Sequence, residues 1–219
     1  MIEHRAIAAP RPPLPQPERS LLLCSGGVES FTLTHAFGTD SGLYLFFLDY
    51  GQRAAAEEWK RVQNLARNLR LEREHFDLRD FGDAVGRLRP QRYHVPTPHR
   101  NLLAVAAAAN VAESLGRNTV VLGTTADDGR TDRNANRAFL SALAATLSSS
   151  GLYLALPLAQ YRKAAVIRLG QDLGVPWEMS YSCIVGYEAQ CGRCPQCIRR
   201  REAFREAGLS HRDVVYSGH

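Results

Sequence analysis

From Ser20 onward, short apolar blocks alternate with longer stretches in which apolar residues recur at helical spacing. Leu21-Leu22-Leu23-Cys24 and the run from Leu43 to Leu48 are apolar or aromatic at every position. Such blocks mark strands covered on both faces rather than one. Trp59, Val62, Leu65, Ala66 and Leu69 share one face of a helix. Glu74 to Leu78 reads as a third strand. Leu102 to Leu115 reads as an alanine-rich helix closed by Gly116 at the C-cap. Thr119 to Leu122 and Tyr153 to Leu156 supply the fourth and fifth strands. Helices are expected at Ala138 to Leu147 and at Lys163 to Leu173, the latter ending before Gly174. Strand and helix alternate without period-two patterning, which predicts an α/β fold with a doubly wound parallel five-stranded sheet. Ligands of such sheets bind beyond the carboxyl ends of the strands, which points to the loops after Cys24, Leu48 and Leu122.

Composition narrows the setting. The chain has 219 residues, 45% of them hydrophobic and 22% charged, enough for a sizeable core. Its net charge of +5 suits an anionic ligand and permits nucleic acid without requiring it; a general richness in arginine would give the same balance. Residues 1–19 hold five of the eleven prolines and read as a disordered tail. Residues 20–178 then form the α/β domain and 179–219 a cysteine-bearing C-terminal segment. There is no signal-peptide pattern, and the longest apolar stretch, Leu102 to Val111, is too short to span a bilayer. A cytoplasmic protein without membrane contact is expected.

Ser25-Gly26-Gly27-Val28-Glu29-Ser30 follows the first strand and opens a helix. Two glycines let the backbone turn tightly and approach a ligand. Successive N–H groups at a helix N-terminus form an anion site, and Ser25 and Ser30 add hydroxyls. No Gly-Lys-Ser/Thr follows, so this is not a Walker A loop. A plain Ser/Gly turn, with Glu29 stabilising the first helical turn, is the simpler reading; the strand-loop-helix context favours phosphate.

Four of the five cysteines, Cys183, Cys191, Cys194 and Cys197, fall in a C-x7-C-x2-C-x2-C pattern, while Cys24 stands apart. The odd count and tight cluster argue against a secreted disulfide scaffold. Four thiolates at this spacing suit a closed, structural tetrahedral zinc site, with an iron–sulfur cluster as the competitor. Arg193, Arg199, Arg200 and Arg201 surround the cluster and would offset its negative charge. A zinc knuckle reading nucleic acid is the other function such a cluster suggests, and a less favoured one.

The phosphate loop resembles the Ser-Gly-Gly-x-Asp-Ser signature of PP-loop ATP pyrophosphatases, with Glu29 in place of Asp. Further motifs follow in order. They are Asp49-Tyr50-Gly51-Gln52-Arg53, Val95-Pro96 with Arg100-Asn101, Gly123-Thr124-Thr125-Ala126-Asp127-Asp128, Lys163, the run Leu169 to Pro176, and Ser182 through Cys197. Together these resemble the 7-cyano-7-deazaguanine synthases over roughly residues 20 to 208. The resemblance implies a Rossmann-like fold of the adenine nucleotide alpha hydrolase type. It also implies adenylation of 7-carboxy-7-deazaguanine by ATP with magnesium, displacement of AMP by ammonia, and dehydration of the amide to a nitrile. ATP would be held by Ser25, Gly26, Gly27, Glu29, Ser30, Asp49, Tyr50 and Gln52. Arg100, Asn101, Asp127 and Asp128 would face the deazaguanine, with Lys163, Arg100 and Asp128 as catalytic groups and a homodimer as the assembly. Asp127 and Asp128 read equally well as a turn or capping pair, and Lys163 as a solvated helix lysine. The family's Tyr-Pro-Asp-Cys-Arg segment is replaced here by Asp132-Arg133-Asn134-Ala135-Asn136, so its Asp, Cys and Arg become Asn134, Ala135 and Asn136. That change and Glu29 together favour a second expectation, a paralog with the same adenylation chemistry, of the kind found in anti-phage defence systems, that joins a deazaguanine to a protein amine. A nucleotide-binding pseudoenzyme or zinc module is the third.

Overall fold

The apolar blocks pair as parallel neighbours. In the computed structural model, which describes residues 11–88 and 95–217, β1 (Ser20–Leu23) is central in a sheet ordered β3-β2-β1-β4-β5. The others are β2 (Tyr44–Asp49), β3 (Glu72–Asp77), β4 (Thr119–Leu122) and β5 (Tyr153–Ala155). Leu22 sits in register with Leu45 on one side and Val121 on the other. The strand order reverses at β1, so the loops after β1 and β4 open a crevice there.

Successive strand residues face opposite layers. Leu22, Leu45, Phe47 and Val121 pack with Phe31 and Leu33 of α1 (Val28–Phe37), Val62 and Leu65 of α2 (Ala55–Leu69), and Val166 and Ile167 of α7 (Lys163–Asp172). Leu21, Phe46, Leu48 and Val120 pack with Ala108 and Ala112 of α4 (Arg100–Ser114) and with Leu143 and Leu147 of α6 (Arg137–Ser149). The small side chains of α4 permit close approach to the sheet. Gly116, with φ +67°, then turns the chain in the left-handed region past the end of α4, as its place in the sequence suggests.

Several elements depart from expectation. β3 starts at Glu72 and carries mostly exposed side chains, because it is an edge strand and its apolar signal is weak. α3 (Arg79–Arg87) is unforeseen, since Gly82 and Gly86 depress its helical signal. Gly82 is required where it stands: a Cβ there would lie 1.8 Å from the Tyr50 carbonyl oxygen. α5 (Ala126–Thr131) and α8 (Pro195–Glu206) are also additional. The expected proline-rich tail needs correction over residues 11–19; residues 1–10 lie outside the described residues. Leu14 packs against the core, Pro17–Arg19 form a 3-10 turn, and Arg117 Nη1 donates to the carbonyls of Glu18, Ser20 and Gly42 at 2.9 to 3.0 Å. Among the described residues, no helix is long and apolar enough to cross a membrane.

Candidate active site and metal centre

The loop after β1 folds as its glycines allow. Gly26 adopts φ +73°, and a Cβ on it would sit 2.9 Å from Arg61 Cβ and 3.1 Å from the Glu58 carbonyl oxygen. Only glycine fits there without displacing α2. Ser30 Oγ accepts the Ser25 N–H at 3.1 Å and closes the loop. Gly27 is the N-cap of α1 and offers no side-chain acceptor, so the first-turn N–H groups remain available to an anion.

A cleft of ≈ 300 Å³ lies at the carboxyl ends of the central strands. Ser25, Gly27, Glu29, Ser30, Lys163 and Asp128 line it, and so do Tyr50, Gln52, Arg100 and Asn101. Lys163 begins α7, and its Nζ meets Glu29 Oε1 at 2.5 Å. Burial alone would lower the Lys163 pKa, but the charges of Glu29 and Asp128 outweigh it and hold the ammonium above its ordinary value. Lys163 is therefore a fixed cation beside the phosphate loop rather than a solvated helix lysine.

Three expected residues stand back from the cleft wall. Gly26 shapes the loop from behind. Asp49 Oδ1 accepts the Gly51 N–H at 2.9 Å and stiffens the turn that presents Tyr50. Asp127 Oδ2 accepts the Lys163 N–H at 2.8 Å, which anchors the first turn of α7. Asp128 does reach the cleft, but it also completes a capping box: its Oδ2 accepts from the Thr125 N–H at 3.0 Å and from the Thr125 hydroxyl at 2.7 Å. The capping reading of the aspartate pair thus describes what both side chains hold in this structure.

The substituted 132–136 loop is a joint. Asn134 is buried, donates to Pro98 O and Asp132 Oδ1 at 3.0 Å, and meets His99 Nδ1 at 2.9 Å. Asp132 Oδ2 accepts from Arg100 Nη2 at 2.7 Å, and Asn101 Nδ2 donates to Asn134 O at 2.9 Å. Asn136 caps α6 by accepting the Phe139 N–H. Of the five positions, only Ala135 reaches the cleft. From outside the cleft, Asp132 therefore holds Arg100 and Asn134 holds Asn101, while Asn136 serves α6.

Cleft residues beyond the sequence expectation are Glu58, Cys24 and a group from the C-terminal segment, Tyr181, Ser182, Ile184 and Gln196. Burial pushes the Glu58 carboxyl up to about 7, against the lowering effect of the Gln52 amide. Burial lifts the Cys24 thiol to about 11, so it stays protonated. Glu58 carried a sequence signal: it falls four residues before Val62 and seven before Leu65, in line with the apolar face of α2.

The four clustered cysteines converge as their spacing predicts. Their sulfurs all lie within 4.8 Å of one another, with Cys191–Cys197 and Cys183–Cys194 at 4.0 Å. One ion with bonds of about 2.3 Å would space tetrahedral sulfurs only slightly closer. Backbone N–H groups of Arg193 and Cys194 reach Cys191 Sγ at 3.5 and 3.3 Å. Burial would raise the Cys191 thiol, but these donors hold it down at about 7, which favours a thiolate ligand. The donor set thus suits one thiophilic ion. Arg200 departs from its expected place around the sulfurs: it is fully buried, with Nε on Asp213 Oδ1 at 2.7 Å and Nη1 on Ser180 Oγ at 2.8 Å. The segment clamps the phosphate loop, since Tyr181 N–H donates to Gly26 O at 2.8 Å.

Fold and site together define an enzyme of the PP-loop, ATP-binding class. Among solved structures, NMN synthetase from Francisella tularensis superposes with a TM-score of 0.54 at 16% identity, covering 91% of this chain and 89% of that one. The tRNA thiolase NcsA from Methanococcus maripaludis matches with a TM-score of 0.54 at 11% identity, over 88% of this chain and 69% of the other. The 7-cyano-7-deazaguanine synthase of Thermoplasma acidophilum is 31% identical over 216 residues, covering 87% of this chain and 89% of that protein. That of Acidobacterium capsulatum is 31% identical over 219 residues, covering 88% and 94%. The family model of the queuosine biosynthesis protein QueC matches residues 19–208, and the chain belongs to this family as a divergent member.

Proposed function

We propose that the protein is an ATP-dependent carbon–nitrogen ligase that converts a 7-carboxy-7-deazaguanine-type carboxylate to the 7-cyano product with ammonia. The observation that carries this reading is Lys163 fixed beside an uncapped helix N-terminus in the cleft. A carboxylate repels nucleophiles, so it is first joined to the α-phosphate of ATP, and the bond to pyrophosphate breaks. The loop N–H groups and Lys163 would take up the charge of the departing pyrophosphate. Ammonia then forms the C–N bond, loses a proton, and AMP leaves, giving the amide. A second ATP adenylates the amide oxygen as its pyrophosphate leaves and the nitrogen gives up a proton; loss of AMP and the second N–H proton then leaves the nitrile.

Magnesium would be held by Glu29 and Asp128, hard oxygen donors that both act on Lys163, and would neutralise phosphate charge. Zinc in the four-cysteine site would be structural, because four thiolates leave no open position. Its part is to keep Tyr181 on Gly26 and Gln196 at the cleft.

A second reading has a specific support: Ala135 is the one residue of the altered loop at the cleft, and its small side chain adds little bulk to the wall. The same adenylation would then deliver the acyl group to a protein amine. Incubation with ATP, magnesium and 7-carboxy-7-deazaguanine, with and without ammonia, tests both by mass spectrometry. Nitrile and AMP support the first, and a protein-linked deazaguanine the second. If no AMP is released in any arm, both readings fail.

A further inference from the structure

Among the described residues three carboxylates line the cleft, and two of them act on Lys163, where magnesium would bind. Glu29 is paired with Lys163, and Asp128 closes its capping box with Thr125. Glu58 differs. Gln52 Nε2 donates to its Oε2 at 3.0 Å, and among the described residues no further hydrogen bond to this carboxyl is found. α2 presents Glu58 on the face that buries Val62 and Leu65. Folding gains nothing from a carboxyl in that row, which would be better solvated on the outer face of the helix. Gln52 is itself fully employed, since its Oε1 accepts the Tyr50 N–H at 2.9 Å and its Nε2 also donates to Leu48 O at 3.1 Å. One Glu58 oxygen is thereby steadied, with a second lone pair to spare, and the other is left for a ligand.

Two sets of charged groups act on the cleft's titratable side chains. Lys163 feels Glu29 and Asp128, whereas the charged groups acting on Glu58 are Asp49 and Arg100. A ligand with phosphates on the Ser25–Ser30 loop can lay its heterocycle beside Tyr50 and Gln52, which line the same cleft as Glu58. A carboxylate there accepts from an exocyclic amine and an adjacent ring N–H. As the acid, it accepts from the amine and donates to a ring nitrogen. We infer that Glu58, held by Gln52, reads the amino-bearing edge of a purine-type heterocycle lying in the cleft beside Tyr50 and Gln52. Burial brings its carboxyl to about 7, so both forms are accessible near neutral pH. This inference rests on the proposed reaction for its two heterocycles, the adenine of ATP and the deazaguanine acceptor.

The test uses the full chain and its Glu58→Ala and Glu58→Gln variants, with melting curves to confirm folding. Binding is measured by calorimetry for two pairs: ATP against its 6-desamino analogue, and 7-carboxy-7-deazaguanine against its 2-desamino counterpart. The unaltered protein should prefer the amino-bearing member of one pair by about tenfold or more. Glu58→Ala should erase that preference, and Glu58→Gln, which keeps the shape and the Gln52 contact, should reduce it. Which pair responds assigns the heterocycle. The inference is overturned if the preference survives in both variants, or if the unaltered protein shows none. It is equally overturned if only kcat falls while discrimination stays intact, which would make Glu58 a proton acceptor for the amine. Absence of AMP release by the unaltered protein counts against the proposed reaction instead, and the ATP pair still decides Glu58.

Discussion

Replacing Lys163 with Met removes the ammonium and keeps most of the stem. Its Nζ is 2.5 Å from Glu29 Oε1, with the two side chains 15% and 14% exposed, so the pair is mostly withdrawn from water. Removing one partner of a fully buried pair costs about 3–5 kcal/mol, because the other charge is stranded. An exposed pair is worth about 0–1 kcal/mol. The residual exposure places Lys163→Met between these, at about 2–3 kcal/mol, or a melting point about 4–12 °C lower for a chain of this size. The double variant Glu29→Gln/Lys163→Met strands no charge and should recover at least about 1 kcal/mol relative to the sum of the single changes. Its AMP release should not recover, staying about a hundredfold or more below the unaltered protein, since the cation facing the phosphates is gone. Thermal denaturation and an AMP-release assay on all four proteins read both quantities. Additive single changes, or a Lys163→Met protein that melts with the unaltered one, would refute the reasoning.

Gly26→Ala should cost about 1–3 kcal/mol by denaturant titration, because the new Cβ meets Arg61 and Glu58 at a positive φ, and phosphate binding should weaken with it. Asp213→Ala strands the fully buried Arg200 and should cost about 3–5 kcal/mol, seen as an early melt. Glu58 gives a pH dependence. Its folded pKa, about 7, lies above the ordinary 4.5, so its penalty is absent below the ordinary value, grows as pH rises from there to about 7, and is complete above it. Glu58→Gln should therefore gain about 1 kcal/mol on the unaltered protein between pH 5 and pH 8, short of the full shift because the carboxyl opens to the cleft; equal melting curves at both pH values would count against this. Cys191→Ser, or chelation, should lower the melting point and weaken nucleotide binding together, through the contact of Tyr181 with Gly26.

What was legible in the chain was what is local. The solid apolar blocks gave the strands, because a strand buried on both faces needs no partner to be recognised. The phosphate loop and the cysteine spacing were legible because each is a contiguous stretch whose backbone geometry is set by its own glycines and caps. α8 was hidden because Cys194 serves as its N-cap, accepting from Cys197 N–H, and Pro195 as its first residue, so a helix start was read only as ligand spacing. The roles of Asn134 and Arg200 were hidden for another reason. Each is satisfied by partners distant in sequence, His99 and Pro98 for one, Trp177 and Ser180 for the other, and no local pattern announces a long-range hydrogen bond.

Glu29 shows how the two kinds of information combine. By sequence it is a departure from Asp, with one methylene more than the resembling loops carry. In the structure its carboxylate reaches across to Lys163 on α7, while its Cβ lies against Gly123, where a Cβ would approach to 3.2 Å. Shortening the side chain by one bond, about 1.5 Å, would carry the oxygen beyond hydrogen-bond reach unless α1 or α7 moved. The longer acid is thus matched to the spacing of the two helices in this chain. The loop after β1 and Lys163 are therefore tied by one ion pair, even though 134 residues separate the paired side chains.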